Sequence, residues 1–404
     1  MTNLFSYLDR TALSILLPPI QEEFLLSDTQ LGILTGIAFA AFYAIAGIPI
    51  AYMADSCSRV KIISVSVAAW SVATALTGAA GSFLQLFLAR MATAIGEAGA
   101  LPPSHSLFSD MFPADRRAGV LALHSAFGPV GTLLGLVLGG WLAVQVGWRW
   151  TYVFLGLPGL LLALIVFLLV KEPVRGRYDK APTELREVGF FLTLKLLASK
   201  RSYVCLLIAF AIGSFVIAGL AQWLPSYFVR RFSLTLGEVG SYYGIAFGLG
   251  SFIGMILGAS VANSLTRRDL RWAMWLACVS YTIVFPLYLV VIWWEDFMGA
   301  ILVVFLASGV AGIGYGPAWA AIQNVSPARM RATATAISLF GANILGMGLG
   351  PMVVGILSDL TPMGDPAASL RYGLTAAVCI TPLPICFFWL ASRYFAADIA
   401  TREE

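Results

Sequence analysis

Four ionisable side chains sit inside apolar stretches of this chain. Asp9 and Arg10 are neighbours in one stretch, and Arg90 and Glu97 lie seven residues apart in another. Two carboxylates and two guanidiniums can hold or release a proton, pair with one another, or present a fork to a phosphate or carboxylate. A charge inside hydrocarbon costs at least ~2.5 kcal/mol, so ionisable groups within a membrane mark a path or a site. Helical residues seven apart share a face but stand ~10 Å apart along the axis, too far for a direct pair. Arg90 and Glu97 therefore each need a partner from another helix, and Asp9 and Arg10 are the strong charges available. Adjacent helical residues point about 100° apart, so one of that pair can face a cavity and the other a neighbouring helix. The expectation is a four-member network of formal charge near zero in which Arg10 meets Glu97. Asp9, Glu97 and Arg90 are candidates for proton coupling, because burial favours a neutral carboxyl and nearby arginines favour the charged one. Arg10 with Glu97 is the candidate region for a substrate head group. The plainer reading is an ion cluster that locks one helix to another. Buried ion pairs are often no more stabilising than apolar replacements, so stability alone explains the four charges poorly.

The elements that must hold these residues are membrane helices. Of 404 residues, 59% are hydrophobic and 11% charged, and the mean hydropathy is +0.86. Such values exclude a soluble globular domain. Lipid admits only helices or closed barrels, and barrels show short alternating strands rather than long apolar runs. Twelve runs have spanning length: residues 3–20, 29–54, 61–80, 83–108, 117–145, 149–170, 202–229, 238–262, 271–292, 298–323, 330–358 and 371–395. The fold class is therefore all-α integral membrane. The five cysteines show no CxxC, and two isolated histidines, His105 and His124, make no metal site. No nucleophile, base or metal cluster suggests an enzyme. No phosphate-binding loop suggests ATP hydrolysis. No cofactor and no nucleic-acid partner is expected. The first apolar run starts almost at Met1, which reads as a clipped chain whose native form has a cytoplasmic lead.

A polar stretch at 171–200 divides the chain into an N-terminal half, 1–170, and a C-terminal half, 201–404, and reads as a linker with one surface helix. Loops after spans 2, 4, 6, 8 and 10 plus the C-terminus hold nineteen Lys and Arg, against four on the other side. The positive-inside rule places both termini and the linker in the cytoplasm, in a cytoplasmic (inner) membrane. The halves repeat each other. Gly36-Ile37-Ala38-Phe39 recurs as Gly244-Ile245-Ala246-Phe247, and Pro113-Ala114 with Arg117-Ala118 recurs as Pro327-Ala328 with Arg331-Ala332. Six spans repeated in one orientation predict two pseudo-symmetric six-helix bundles around a central site, a transporter architecture.

The segment Ala51-Tyr52-Met53-Ala54-Asp55-Ser56-Cys57-Ser58-Arg59-Val60-Lys61 resembles the signature of the major facilitator superfamily. Alanine replaces its first glycine, Ser56 its usual arginine and Ser58 its later glycine. Gly128-Pro129-Val130-Gly131 in span 5 resembles that superfamily's glycine-proline helix. Within the superfamily, Phe5-Ser6-Tyr7-Leu8-Asp9-Arg10, Leu31-Gly32-Ile33-Leu34-Thr35-Gly36 and Arg90 with Gly96-Glu97-Ala98 resemble the Spinster family. The resemblance implies the major facilitator fold with 12 transmembrane helices, alternating access, a monomer, and sphingosine-1-phosphate or lysophospholipid substrates as in animal members. It also implies a cytoplasmic gate in which Asp55 pairs with Arg59, Arg116 or Arg117 and with the backbone near Ala332 and Thr333. Lys61 belongs to the same basic cluster. The mate of Asp55 in the repeat is Asn263, so the second latch is expected to be weaker.

Spans 7 to 12 carry no charge in their cores but offer Gln222, Tyr315, Trp319 and Asn343 as substrate-binding candidates. One charged wall and one apolar-aromatic wall suit an amphipathic substrate with an anionic or zwitterionic head. The reading is a secondary transporter for such a lipid-like molecule, with protons and membrane lipids as its other partners. A multidrug exporter and an uncoupled facilitator of the same fold are the alternatives.

Overall fold

In a computed structural model the chain is helical throughout its described parts, residues 1–175, 190–326, 330–361 and 363–400. Within these ranges the side chains of Asp55, Ala114, Asp115, Ala118, Ala122, Phe190, Phe191, Arg331, Ala332, Ala396, Ile399 and Ala400 are outside the description. Span 1 is Thr2–Phe24, and span 2 is split into Asp28–Thr35 and Ile37–Ser56. Span 3 is Arg59–Thr77, and span 4 is split into Phe83–Ala98 and Leu101–Met111. Spans 5 and 6 form one helical run, Ala114–Leu169, broken at Gly147. That glycine has φ 78°, a left-handed conformation that other residues adopt only at a steric cost, and it separates the two spans without a loop.

A short helix, Phe190–Ser199, precedes span 7, Arg201–Phe232. Spans 8, 9 and 10 are Leu236–Thr266, Trp272–Trp293 and Phe297–Val325. Span 11 runs from Arg331–Gly341 through a π-helical segment, Ala342–Gly348, into Leu349–Leu360. Span 12 is split into Pro366–Val378 and Pro382–Ala400. Nine runs among the described residues are long and apolar enough to cross a membrane, one of them holding both spans 5 and 6. Spans 1 and 4, which carry the intramembrane charges, are not among the nine. The twelve spans of the sequence are thus all present as helices, and the breaks inside spans 2, 4 and 12 are additions to the expected pattern.

The helix starts follow local chemistry. The side chains of Ser58, Ser82, Asp296 and Asp365 accept the backbone N–H of Lys61, Gln85, Gly299 and Ala367 at the starts of spans 3, 4, 10 and 12. Ser27 and Gln30 form a reciprocal capping box at the start of span 2.

The chain packs as two compact units, residues 1–182 with 222–244, and residues 183–221 with 245–404. A core of the first unit includes Val60, Ile63, Val67, Trp70 and Leu107. A core of the second includes Leu197, Tyr203, Phe210, Met274, Ile322 and Phe388. Leu197 is fully buried, so the helix before span 7 is docked on one face rather than lying free on a surface. In the first unit the end of span 7 is tied to the end of span 1. Arg230 donates to both carboxylate oxygens of Asp28, at 2.9 and 2.7 Å, and to Gln21 Oε1 at 2.8 Å.

Candidate functional site

Span 1 and span 4 meet through two rungs of opposite charge. Their approach is set partly by span 5, which packs on span 1 through glycine. A side chain at Gly135 would collide with the carbonyl of Leu8, next to Asp9. On the first rung, Arg10 Nε donates to Glu97 Oε2 at 2.7 Å. Ser6, one turn earlier on span 1, donates its hydroxyl to the same oxygen at 2.5 Å. The Glu97 side chain is fully buried, and its second oxygen, Oε1, has no hydrogen-bond partner. The Arg10 guanidinium also faces aromatic rings, with centroids at 4.4 Å for Phe39, 5.0 Å for Tyr43 and 5.7 Å for Tyr7. Such contacts attract a cation to the ring face, the more so where water is excluded.

The second rung is looser. Arg90 Nη1 lies 3.9 Å from Asp9 Oδ2, beyond hydrogen-bond distance. Both Asp9 oxygens and Arg90 Nε are buried without a hydrogen-bond partner. Arg90 also faces Phe39, at 5.1 Å, so one ring serves both guanidiniums. The four residues therefore converge, with Arg10 on Glu97 and Asp9 beside Arg90, and their formal charges sum to zero. Sequence reasoning missed Ser6, Phe39 and Tyr43. Ser6 could have been found from its spacing, since it precedes Arg10 by four residues and shares its face.

A second cluster lies at the end of the first unit next to the linker. Arg59 is 1% exposed and is satisfied on all sides. Its Nη1 binds Asp110, and also the carbonyl and hydroxyl of Ser106 at 3.2 and 3.1 Å. Its Nε donates to Glu172 Oε1 at 2.7 Å. Glu172 Oε2 accepts from Ser58 Oγ at 2.8 Å and from the backbone N–H of Val60 at 2.9 Å. Partial burial alone would raise the Glu172 carboxyl, but these bonds outweigh it and hold the group below the usual carboxylate range. Lys61 and Arg116 are exposed, and Arg117 donates to the carbonyl of Phe112 at 3.1 Å. The Asp55 side chain, and so its expected pairing, lies outside the described residues, as does the side chain of Ala332. Asp110 and Glu172 are the carboxylates that the sequence reading passed over. Asp110 lies in the last turn of span 4 and Glu172 follows span 6, both on the same side as Arg59, and that shared side was the available signal.

In the second unit, Tyr315 is exposed and its ring meets that of Trp319 at 6.4 Å. Trp319 in turn packs on Phe210 at 4.5 Å, against the buried core. Asn343 is half-buried in the π-helical segment of span 11. Segments of this kind are rare and occur often at functional sites. Gln222 belongs to the first unit, where its Oε1 is buried without a hydrogen-bond partner. His105 and His124 meet edge to face at 5.6 Å.

The profile of the Major Facilitator Superfamily matches residues 1–351. An MFS-type efflux pump of Mycolicibacterium smegmatis is 33% identical over 398 residues, covering 98% of this chain and 91% of its own length. A sphingosine-1-phosphate transporter of Danio rerio is 26% identical over 425 residues, covering 98% of this chain and 83% of its own. The crystal structure of a bacterial homologue of the human lysosomal transporter Spinster, inward-facing and unoccupied, superposes with a TM-score of 0.89 at 29% identity. It covers 98% of this chain and 96% of that one.

Proposed function

Because this chain belongs to the major facilitator superfamily and, within it, to the Spinster family, we propose that it carries an amphipathic lipid-like molecule across a membrane by alternating access, coupled to protons. The observation that carries this reading is the unequal pair of rungs. One acid–base pair is bonded and caged by aromatic rings, and the other leaves a buried carboxylate without a hydrogen bond. A carboxylate in that position is a place where a proton can be gained or lost. Asp9 is the proton-responsive group, with Arg90 and Glu97 tuning it. Arg10 with Glu97 meets the anionic or zwitterionic head, because a guanidinium fork matches phosphate and carboxylate geometry. Gln222, Tyr315, Trp319 and Asn343 are the proposed contacts for the rest of the substrate. The similarity to a sphingosine-1-phosphate transporter supports a lipid-like cargo.

In this reading the halves 1–170 and 201–404, joined by 171–200, rock about the site as a monomer, and the cluster of Asp55, Arg59, Lys61, Arg116 and Arg117 gates the cytoplasmic side. The excess of Lys and Arg on the linker side supports cytoplasmic termini in the inner membrane. The test is flux of a fluorescent lysophospholipid in proteoliposomes under an imposed pH gradient. Flux that follows the gradient, and no longer follows it in Asp9→Asn, is the expected result. Flux indifferent to the gradient in the wild type identifies an uncoupled facilitator. The similarity to an efflux pump favours drug export as the second reading. Cationic drugs transported in place of lysolipids in the same vesicles would select it.

A further inference from the structure

Asp9 meets its surroundings through four helices. Arg10 follows it on span 1, span 4 brings Arg90 and Glu97, span 3 brings Thr74, and span 6 brings Tyr152. Span 5 packs on the same stretch of span 1 through Gly131 and Gly135. Asp9, Thr74, Arg90 and Tyr152 are each no more than 4% exposed. Both carboxylate oxygens of Asp9, Arg90 Nε, Thr74 Oγ1 and the Tyr152 phenol oxygen all lack hydrogen-bond partners. Buried polar atoms are bonded in the great majority of cases, so a carboxylate with both oxygens unbonded and three unbonded polar atoms around it needs a reason. Poor packing is not that reason, because Arg10, Ser6 and Glu97 form a bonded group between the same two helices.

The donor inventory supplies one. A guanidinium can only donate, so Arg90 cannot accept the O–H of Asp9 when that acid is protonated. A hydroxyl both donates and accepts. We propose that Tyr152, with Thr74 beside it, is a positioning residue for the proton carried by Asp9. The two hydroxyls donate to the carboxylate when it is charged and accept its O–H when it is protonated. Tyr152 keeps its own proton in both states and only turns its O–H. The assignment rests on the reading of Asp9 as the proton-responsive group.

The experiment uses the full chain in proteoliposomes, as wild type, Asp9→Asn, Tyr152→Phe and Thr74→Val. Infrared difference spectra over a pH titration report the protonated carboxyl band, and its absence from Asp9→Asn assigns the band to Asp9. Flux of the fluorescent lysophospholipid is followed over the same pH range. Tyr152→Phe removes a bond from both states, but the bond to the charged form is the stronger, so the band's midpoint should move upward by about one pH unit, a tenfold gain in proton affinity. The flux profile should move the same way and stay pH-dependent, and the band frequency should change because the acid has lost an acceptor. Thr74→Val should shift the midpoint in the same direction. It carries the test should the phenylalanine variant fold poorly. A band lost in Asp9→Asn but unmoved by Tyr152→Phe and Thr74→Val makes both residues packing groups and overturns the proposal alone. A wild type with no band sensitive to Asp9→Asn and no pH-dependent flux overturns the reading of Asp9, and the proposal with it.

Discussion

The two rungs between spans 1 and 4 use the same chemistry, a carboxylate and a guanidinium, and reach opposite outcomes. Arg10 and Glu97 are 2.7 Å apart and Glu97 also accepts from Ser6, whereas Asp9 and Arg90 are 3.9 Å apart and share no hydrogen bond. Burial does not separate them, since both carboxylates are almost wholly enclosed. The difference lies in what each pair is offered by its neighbours. The first has a serine one turn away and three aromatic rings around its cation. The second faces hydroxyls that are near and unbonded. A bonded rung holds two helices in register, whereas the loose one contributes no hydrogen bond between them.

This contrast can be broken most severely at the bonded rung. Removing one partner of a buried ion pair leaves the other charge uncompensated, at a cost of about 3–5 kcal/mol. Glu97→Ala should therefore lower the thermal midpoint and folded yield sharply, read by size-exclusion chromatography over a temperature ramp. The pair Arg10→Met with Glu97→Leu should restore stability but not transport, since the uncompensated charge is gone and so is the fork. At the loose rung the expected loss is smaller. Asp9→Asn gives up no hydrogen bond but leaves the buried Arg90 uncompensated, so its thermal midpoint in the same assay should fall, and by less than that of Glu97→Ala. A collapse as deep as that of Glu97→Ala would erase the distinction between the rungs.

The smallest effect is expected at the linker-side cluster, where Arg59 is bonded at every turn but Glu172 is partly open to water. The folded-state Glu172 carboxyl is held below its ordinary value, so its stabilisation is present above pH ~4.3 and is lost as pH falls through the lower folded value. Glu172→Gln should lower the thermal midpoint at neutral pH by an amount worth under about 1 kcal/mol, and the gap to wild type should close in acid. A gap that persists unchanged at low pH would remove Glu172 from that role.

The helices and the meeting of the four charges were legible in the sequence for a physical reason. Apolar runs of spanning length and intramembrane charges are both costly departures from average composition, so each stands out without an alignment. The partners were not legible, because Thr74, Tyr152 and Phe39 are residue types that membrane helices use everywhere for packing. The breaks at Gly36 and after Ala98 were hidden for the same reason, in that a glycine in a span reads as close packing. Asp110 and Glu172 looked like ordinary charges at helix ends until Arg59 was seen between them.

The balance of the four charges has an electrical consequence. Two acids and two bases sum to zero, so the cluster at rest feels no net pull from the potential across the membrane. Adding one proton makes it a cation, and moving one elementary charge through that potential is worth about 2.3 kcal/mol per 100 mV. In the proposed alternating-access cycle, a movement of the cluster as a unit would therefore feel the voltage only in its protonated state.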